Sequence, residues 1–113
     1  MGEALSDAEM VRLAAERIME WHTSWNPKVW RNPDDEFVGY KDRWNPLTNE
    51  ADCWALVDKL PRREWYIRVE RDRDGWTVRI RRISELATLA QICSSDRRRA
   101  IVIACLRACG VKA

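Results

Sequence analysis

Residues 64–82 constrain this chain more than any other stretch. They read Glu-Trp-Tyr-Ile-Arg-Val-Glu-Arg-Asp-Arg-Asp-Gly-Trp-Thr-Val-Arg-Ile-Arg-Arg, two alternating runs about Asp74-Gly75. Successive strand side chains point to opposite sides of a sheet. Trp65, Ile67 and Val69 therefore share one face, and Trp76, Val78 and Ile80 share a face on the return run. Asp-Gly suits a two-residue turn whose central residues both take positive φ. That turn pairs Arg73 with Trp76 and Val69 with Ile80. A four-residue loop over Asp72 to Gly75 keeps the same parity, so the apolar sets coincide either way. The hairpin needs other elements against which to bury its apolar face.

Those elements are helices. Leu5-Ser6-Asp7-Ala8-Glu9-Met10 is a helix start: Ser6 caps, Glu9 reaches back, and Leu5 can staple onto Met10. Met10, Leu13, Ala14, Ile18 and Trp21 then form one stripe, which predicts a helix over 7–21. A second helix is predicted over 49–60. Thr48 or Asn49 caps it, Cys53, Trp54, Val57 and Leu60 form its stripe, and Leu60-Pro61 ends it. After the hairpin (64–82), Ile83, Leu86, Leu89, Ala90 and Cys93 suggest a short helix over 85–92 capped by Ser84. A last helix is predicted over 95–109, capped by Ser94 or Ser95 and closed by Gly110. Ala100 to Cys109 is apolar almost all round, so this helix must be covered on more than one side. It either lies centrally or meets a second copy, which makes a homo-oligomer through 95–109 an expectation.

Residues 22–47 are less regular. They hold Trp25, Trp30 and Trp44, three prolines and the acidic run Asp34-Asp35-Glu36. Trp25-Asn26-Pro27 and Trp44-Asn45-Pro46 repeat a tripeptide that favours turns. So long a loop is unusual unless it folds back on the body, and Phe37 to Asp42 can supply a short third strand. Its indoles either pin it to the core or line a surface for a ligand or partner.

At 113 residues the chain is expected to form one α+β domain: a small sandwich with a hairpin-centred antiparallel sheet of two or three strands, packed by three main helices. No apolar run approaches the ~20 residues of a membrane span, and Met-Gly-Glu-Ala-Leu-Ser-Asp does not resemble a signal peptide. A cytoplasmic protein with no membrane partner is expected. Cys105 and Cys109 sit at helical spacing in an apolar run, and all four cysteines are expected to be buried thiols rather than disulfides.

Net charge is only +2, but it is unevenly placed. Residues 1–58 carry 6 basic and 12 acidic side chains; residues 59–113 carry 14 and 6. The two halves can attract each other, or the basic half can face an anion. Arginine outnumbers lysine 16 to 4, which suits bidentate recognition, although a GC-rich genome gives the same bias.

The chemical inventory points away from catalysis. The only histidine, His22, has no evident nucleophile to serve; the cysteine spacings fit no zinc pattern; the four glycines are isolated. No catalytic residue, metal site or cofactor is expected, and the protein reads as a non-enzyme. The functional signal is basic and aromatic. Tyr66 and Arg68 lie opposite Thr77, Arg79 and Arg81 on the hairpin's outer face, with Glu70 expected to pair with Arg79. Arg97, Arg98 and Arg99 open the last helix, at the end where its dipole disfavours cations. They answer either to an external anion or to the acidic first half. Trp25 and Trp30 add candidate contact residues.

Three segments resemble the phage ABA-sandwich domain, a family of small tailed-phage and prophage proteins. Leu13-Ala14-Ala15 with Trp21 resembles its opening helix. Trp44-Asn45-Pro46-Leu47-Thr48-Asn49-Glu50-Ala51-Asp52 resembles its W-N-P-L-T-D-D-G-D segment, departing from D-D-G at Asn49, Glu50 and Ala51. Arg98-Arg99-Ala100-Ile101-Val102 resembles its closing helix. The resemblance implies a small α+β sandwich in an infected or lysogenic bacterium, and it transfers no activity or cofactor. Together with the thin chemical inventory it leads to a phage accessory protein that works by binding, with a host or bacterial defence protein as the expected partner. The alternative is a nucleic-acid or nucleotide-binding module. In that case arginines hold phosphate while Tyr66, Trp25 or Trp30 stacks on a base.

Overall fold

Asp72 sets the hairpin turn. Its carboxylate accepts from the Asp74 N–H at 2.9 Å and from the Thr77 hydroxyl at 3.1 Å, which leaves Arg73 and Asp74 at the tip. Gly75 follows with φ +136° and pairs with Asp72. The register is thus Val69 to Val78 and Ile67 to Ile80, that of the four-residue loop; the two-residue Asp74-Gly75 turn places each pair two residues out. A computed structural model of the chain describes residues 5–61, 64–84 and 87–112. Within them the hairpin strands are β4 (Trp65–Asp72) and β5 (Gly75–Arg82).

The expected short helix over 85–92 is instead a third strand, β6 (Ala87–Ser94), antiparallel to β5; its expected start at residues 85 and 86 lies outside the described residues. The sheet order is β4-β5-β6. Its inner face carries Val78, Ile80, Ala90 and Ile92, all buried.

Helix α3 (Arg97–Ala108) lies across β5 and β6. Its cap is Asp96, not Ser94 or Ser95: the Asp96 carboxylate accepts from the Arg99 N–H at 3.2 Å, while Ser94 Oγ accepts from the Asp96 N–H at 3.1 Å. Gly110, with φ +89°, closes the other end as its position predicts. Ala100, Ile101, Val102, Ala104, Cys105 and Leu106 are fully buried within this one chain. The sheet covers α3 on one side, with α1 (Asp7–Leu13) and α2 (Glu50–Lys59) on others. The all-round apolar helix is therefore central, and the observation that motivated a homo-oligomer through 95–109 is accounted for inside the fold.

Ser6 caps α1, accepting from the Glu9 N–H at 3.2 Å. The α-helix is shorter than the 7–21 expected. A π-turn (Ala14–Ile18) follows it, with Met19 N–H bonded to Ala14 C=O at 3.1 Å, and Glu20 takes φ +62° to end it. Asn49 caps α2 by accepting from the Asp52 N–H at 3.0 Å. Leu60 leaves the helix with ψ 150° before Pro61. Cys53 and Cys105 are buried, but Cys93 and Cys109 are exposed, so the expectation of four buried thiols holds for only two. Cys93 lies on the outward face of β6, and Cys109 just beyond the packed part of α3.

Candidate functional site

Within residues 22–47, the part up to Tyr40 forms a second sheet. Both Asn-Pro repeats make the same local turn. Asn26 Oδ1 accepts from the Lys28 N–H at 3.0 Å, and Asn45 Oδ1 accepts from the Leu47 N–H at 2.9 Å. The first turn joins β1 (His22–Thr23) to β2 (Val29–Arg31). Asn32 closes the next connection, accepting from the Glu36 N–H at 2.9 Å, and His22 pairs with Asp35 at 3.1 Å. The acidic run is thus the turn into β3 (Phe37–Tyr40), and the antiparallel order is β1-β2-β3. The third strand foreseen at 37–42 exists, but in this small sheet rather than beside the hairpin. Residues 41–43 leave it as a single 3₁₀ turn.

One side of the small sheet is anchored by indoles. Trp21 meets Trp44 edge-on at 5.0 Å between ring centroids and Trp30 at 6.5 Å, while the Lys41 ammonium sits 4.2 Å over the Trp30 ring. Trp30 is only 3% exposed, so the structure removes it from the candidate contact residues. Trp25 is the reverse, 86% exposed at the β1–β2 turn.

β3 turns apolar side chains to solvent. Phe37 is 56% and Tyr40 50% exposed, with their rings edge-on at 5.6 Å, and Val38 between them is also exposed. A bulge explains why. Trp30 pairs with Gly39 and Arg31 with Phe37, so Val38 is the extra residue and strict alternation fails. A cavity of about 370 Å³ opens beside this strand, walled by Trp21, Trp30, Phe37, Tyr40, Arg43 and Trp44. Gly39 leaves its space open, for a Cβ built there meets no atom within 4 Å. The sequence does not mark Phe37, Val38 and Tyr40 as contact residues. Their one signal is an apolar run, Phe-Val-Gly-Tyr, that no helix or hairpin period absorbs.

The outward face of the main sheet brings together Tyr66, Arg68, Arg79 and Arg81. Tyr66 lies opposite Arg81, and Arg68 opposite Arg79. Glu70 does not face Arg79; it faces Thr77 and forms an ion pair with Arg68 along its own strand. Arg79 donates to the neutral Gln91 side chain at 3.0 Å and Arg81 to the neutral Thr88 hydroxyl at 3.4 Å.

Arg97, Arg98 and Arg99 are not part of that face. Arg97 and Arg98 both bind the Glu50 carboxylate, Arg98 also donates to the Leu47 carbonyl at 3.2 Å, and Arg99 binds Asp7 at 2.6 Å. The arginine cluster answers to the acidic first half. Glu50 is held below the usual carboxylate range, first by the hydrogen bond from the Trp54 indole, which desolvation opposes, and then by Arg98 and Arg97. Burial pushes the Cys53 thiol up to about 11 and the Cys105 thiol up further. Neither is placed to act as a thiolate near neutral pH.

A phage protein from Bacillus cereus ATCC 14579, solved by crystallography at 2.0 Å, has the same fold. The two share 13% identity and a TM-score of 0.74, over 100% of this chain and 95% of the other. No curated protein matches the chain. The phage ABA sandwich domain matches residues 12–101, from the end of α1 into α3. With its antiparallel sheet packed by three helices, the chain belongs to the phage ABA sandwich domain family.

Proposed function

We propose that this is a phage accessory protein that acts by binding another protein, and that its contact surface is the small sheet. The observation that carries this reading is the exposed set Phe37, Val38 and Tyr40 on a strand that shares a cavity with the packed indoles Trp21, Trp30 and Trp44. Monomeric proteins rarely leave clustered aromatic surface in water without a use. Aromatic side chains with an adjacent arginine, here Arg43, are the types that most often anchor interfaces. Trp25, at the turn of the same sheet, extends the apolar surface. A host or bacterial defence protein is the partner class that fits a phage accessory protein. Binding rather than catalysis fits the two buried thiols and a histidine already engaged by an aspartate.

The test is capture from nuclease-treated bacterial lysate at about 200 mM salt. Wild-type protein is compared with a Phe37→Ser, Tyr40→Ser double variant. A stoichiometric protein retained by the first and lost by the second supports the reading. Equal retention by both overturns it.

A second reading rests on Arg79 and Arg81, which donate to the neutral side chains of Gln91 and Thr88, with Tyr66 beside them. These residues suit an anionic polymer, nucleic acid included. Arg97 to Arg99 would have extended such a surface, but their charge is met by Glu50 and Asp7, so the small sheet is the stronger surface. Binding of this second kind falls steeply between about 50 and 200 mM salt.

A further inference from the structure

The main sheet has an open edge at β4. Ile83 N–H donates to the Glu64 carbonyl at 2.6 Å, so Glu64 and the even-numbered residues after it direct their backbone groups at β5. In an antiparallel ladder the alternate residues point the other way. Ile67, Val69 and Arg71 therefore offer their N–H and C=O groups to the open edge, where no strand pairs among the described residues; the Trp65 N–H is already taken by the Pro61 carbonyl at 2.8 Å.

Proteins usually blunt such an edge with proline, lysine, a bulge or a very short strand. β4 has no proline, lysine or bulge, is eight residues long and pairs with β5 without a register break; its edge protection is limited to the charges of Arg68, Glu70, Arg71 and Asp72, which a partner of complementary charge can satisfy. Its inner-face row is also incompletely covered. Val78, Ile80, Ala90 and Ile92 on the neighbouring strands are buried, whereas Trp65, Ile67 and Val69 remain half-buried. A cavity of about 280 Å³ lies between this edge and α2, lined by Trp54, Val57, Leu60, Trp65, Tyr66 and Ile67.

We infer that β4 pairs with β4 of a second copy of this chain, antiparallel about a two-fold axis at Val69. The sequence around Val69 is charge-complementary to itself. In that register Arg68 of each copy faces Glu70 of the other, and Val69 faces Val69 on the apolar side. Ile67 faces the aliphatic stem of Arg71, which reaches towards the cavity beside α2. Odd residues meet odd residues, so every edge N–H and C=O between positions 67 and 71 finds a partner. Within one chain Arg68 faces Arg79, a like-charge pair that costs stability. A second Glu70 laid beside Arg68 offsets it. The two three-stranded sheets become one of six strands, a closed two-fold assembly in which the same patch serves both copies.

Two charge reversals test this. The wild-type chain should have the mass of two chains by light scattering at micromolar concentration. Arg68→Glu leaves two glutamates facing two glutamates, and Glu70→Arg leaves arginines facing arginines; each variant alone should be monomeric. Mixed in equal amounts they restore opposite charges at both positions and should give a dimer of one copy of each. Circular dichroism of each variant separates lost pairing from lost folding. A monomeric wild type overturns the proposal. So do folded single variants that stay dimeric, or a mixture of folded variants that stays monomeric.

Discussion

Arg98 Nη1 donates to Glu50 Oε2 at 3.1 Å across 48 residues of chain, joining the first turn of α3 to the first turn of α2. Arg97 shares that carboxylate. The contact resolves an electrostatic conflict. Three arginines at the start of α3 oppose its dipole; Glu50, favourably placed at the positive end of α2, supplies negative charge to Arg97 and Arg98, and Asp7 supplies it to Arg99. The acidic first half and basic second half of the chain are in this respect two parts of one assembly.

Glu50→Gln should therefore lower the melting temperature more than Glu9→Gln, whose carboxylate serves only its own exposed cap. The pH dependence has a defined sign. Glu50 is depressed in the fold, so its contribution is present at neutral pH and lost as pH falls through its folded value, below the ordinary carboxylate value of about 4.3. Thermal melts of wild type and variant should converge as the pH is lowered through that range.

Gly75 should tolerate no side chain. Its φ of +136° is one that L residues rarely adopt, and an added Cβ would lie 2.6 Å from the Ser94 carbonyl oxygen. Gly75→Ala should cost more than about 1 kcal/mol in urea unfolding. Gly110→Ala, also at positive φ but with open space around it, should cost less.

The hairpin was legible because alternation and an Asp-Gly turn agree. Its register was legible only to within two residues, since the side-chain bonds of Asp72 decide where the chain reverses. The sequence of β6 has the spacing of a helix for a physical reason. The ladder shifts between the pairs Ile80–Ala90 and Arg81–Thr88, which leaves Leu89 as an extra residue. Leu89, Ala90 and Cys93 then fall at helical spacing although all three lie on a strand. The small sheet hid in residues 22–47 because its strands are two to four residues long, too short for any period to show. Among the candidate residues, Tyr66, Arg68, Arg79 and Arg81 followed from strand parity alone. Whether Arg97 to Arg99 were free, and which indoles were buried, depended on contacts from distant parts of the chain.

Burial of the inner strand face should appear as a contrast between neighbours. Ile80, fully buried at the sheet centre, should lose about 2–5 kcal/mol on replacement by alanine. Ile83, 46% exposed just beyond β5, should stay within about 0.5 kcal/mol. Urea unfolding with an unchanged m-value checks both.

The four thiols should divide into two classes. A thiol reagent should titrate two groups in the folded protein, Cys93 and Cys109, and all four after denaturation. Burial raises Cys53 to about 11 and Cys105 further, while an unfolded thiol ionises near about 8.5. Their contribution is intact below the unfolded value and is lost as pH rises towards the folded one. The urea midpoint should accordingly be lower at about pH 10 than at neutral pH.

Photocrosslinking from two positions in bacterial lysate tests the binding surface most directly. A photoreactive phenylalanine analogue replaces Tyr40 on the small sheet in one sample and Gln91 on the outward face of the main sheet in the other. The account predicts a discrete protein adduct from position 40, insensitive to nuclease, and none from position 91. An adduct from position 91 alone, or one that nuclease removes, would contradict it and move the binding surface to the arginines of the main sheet.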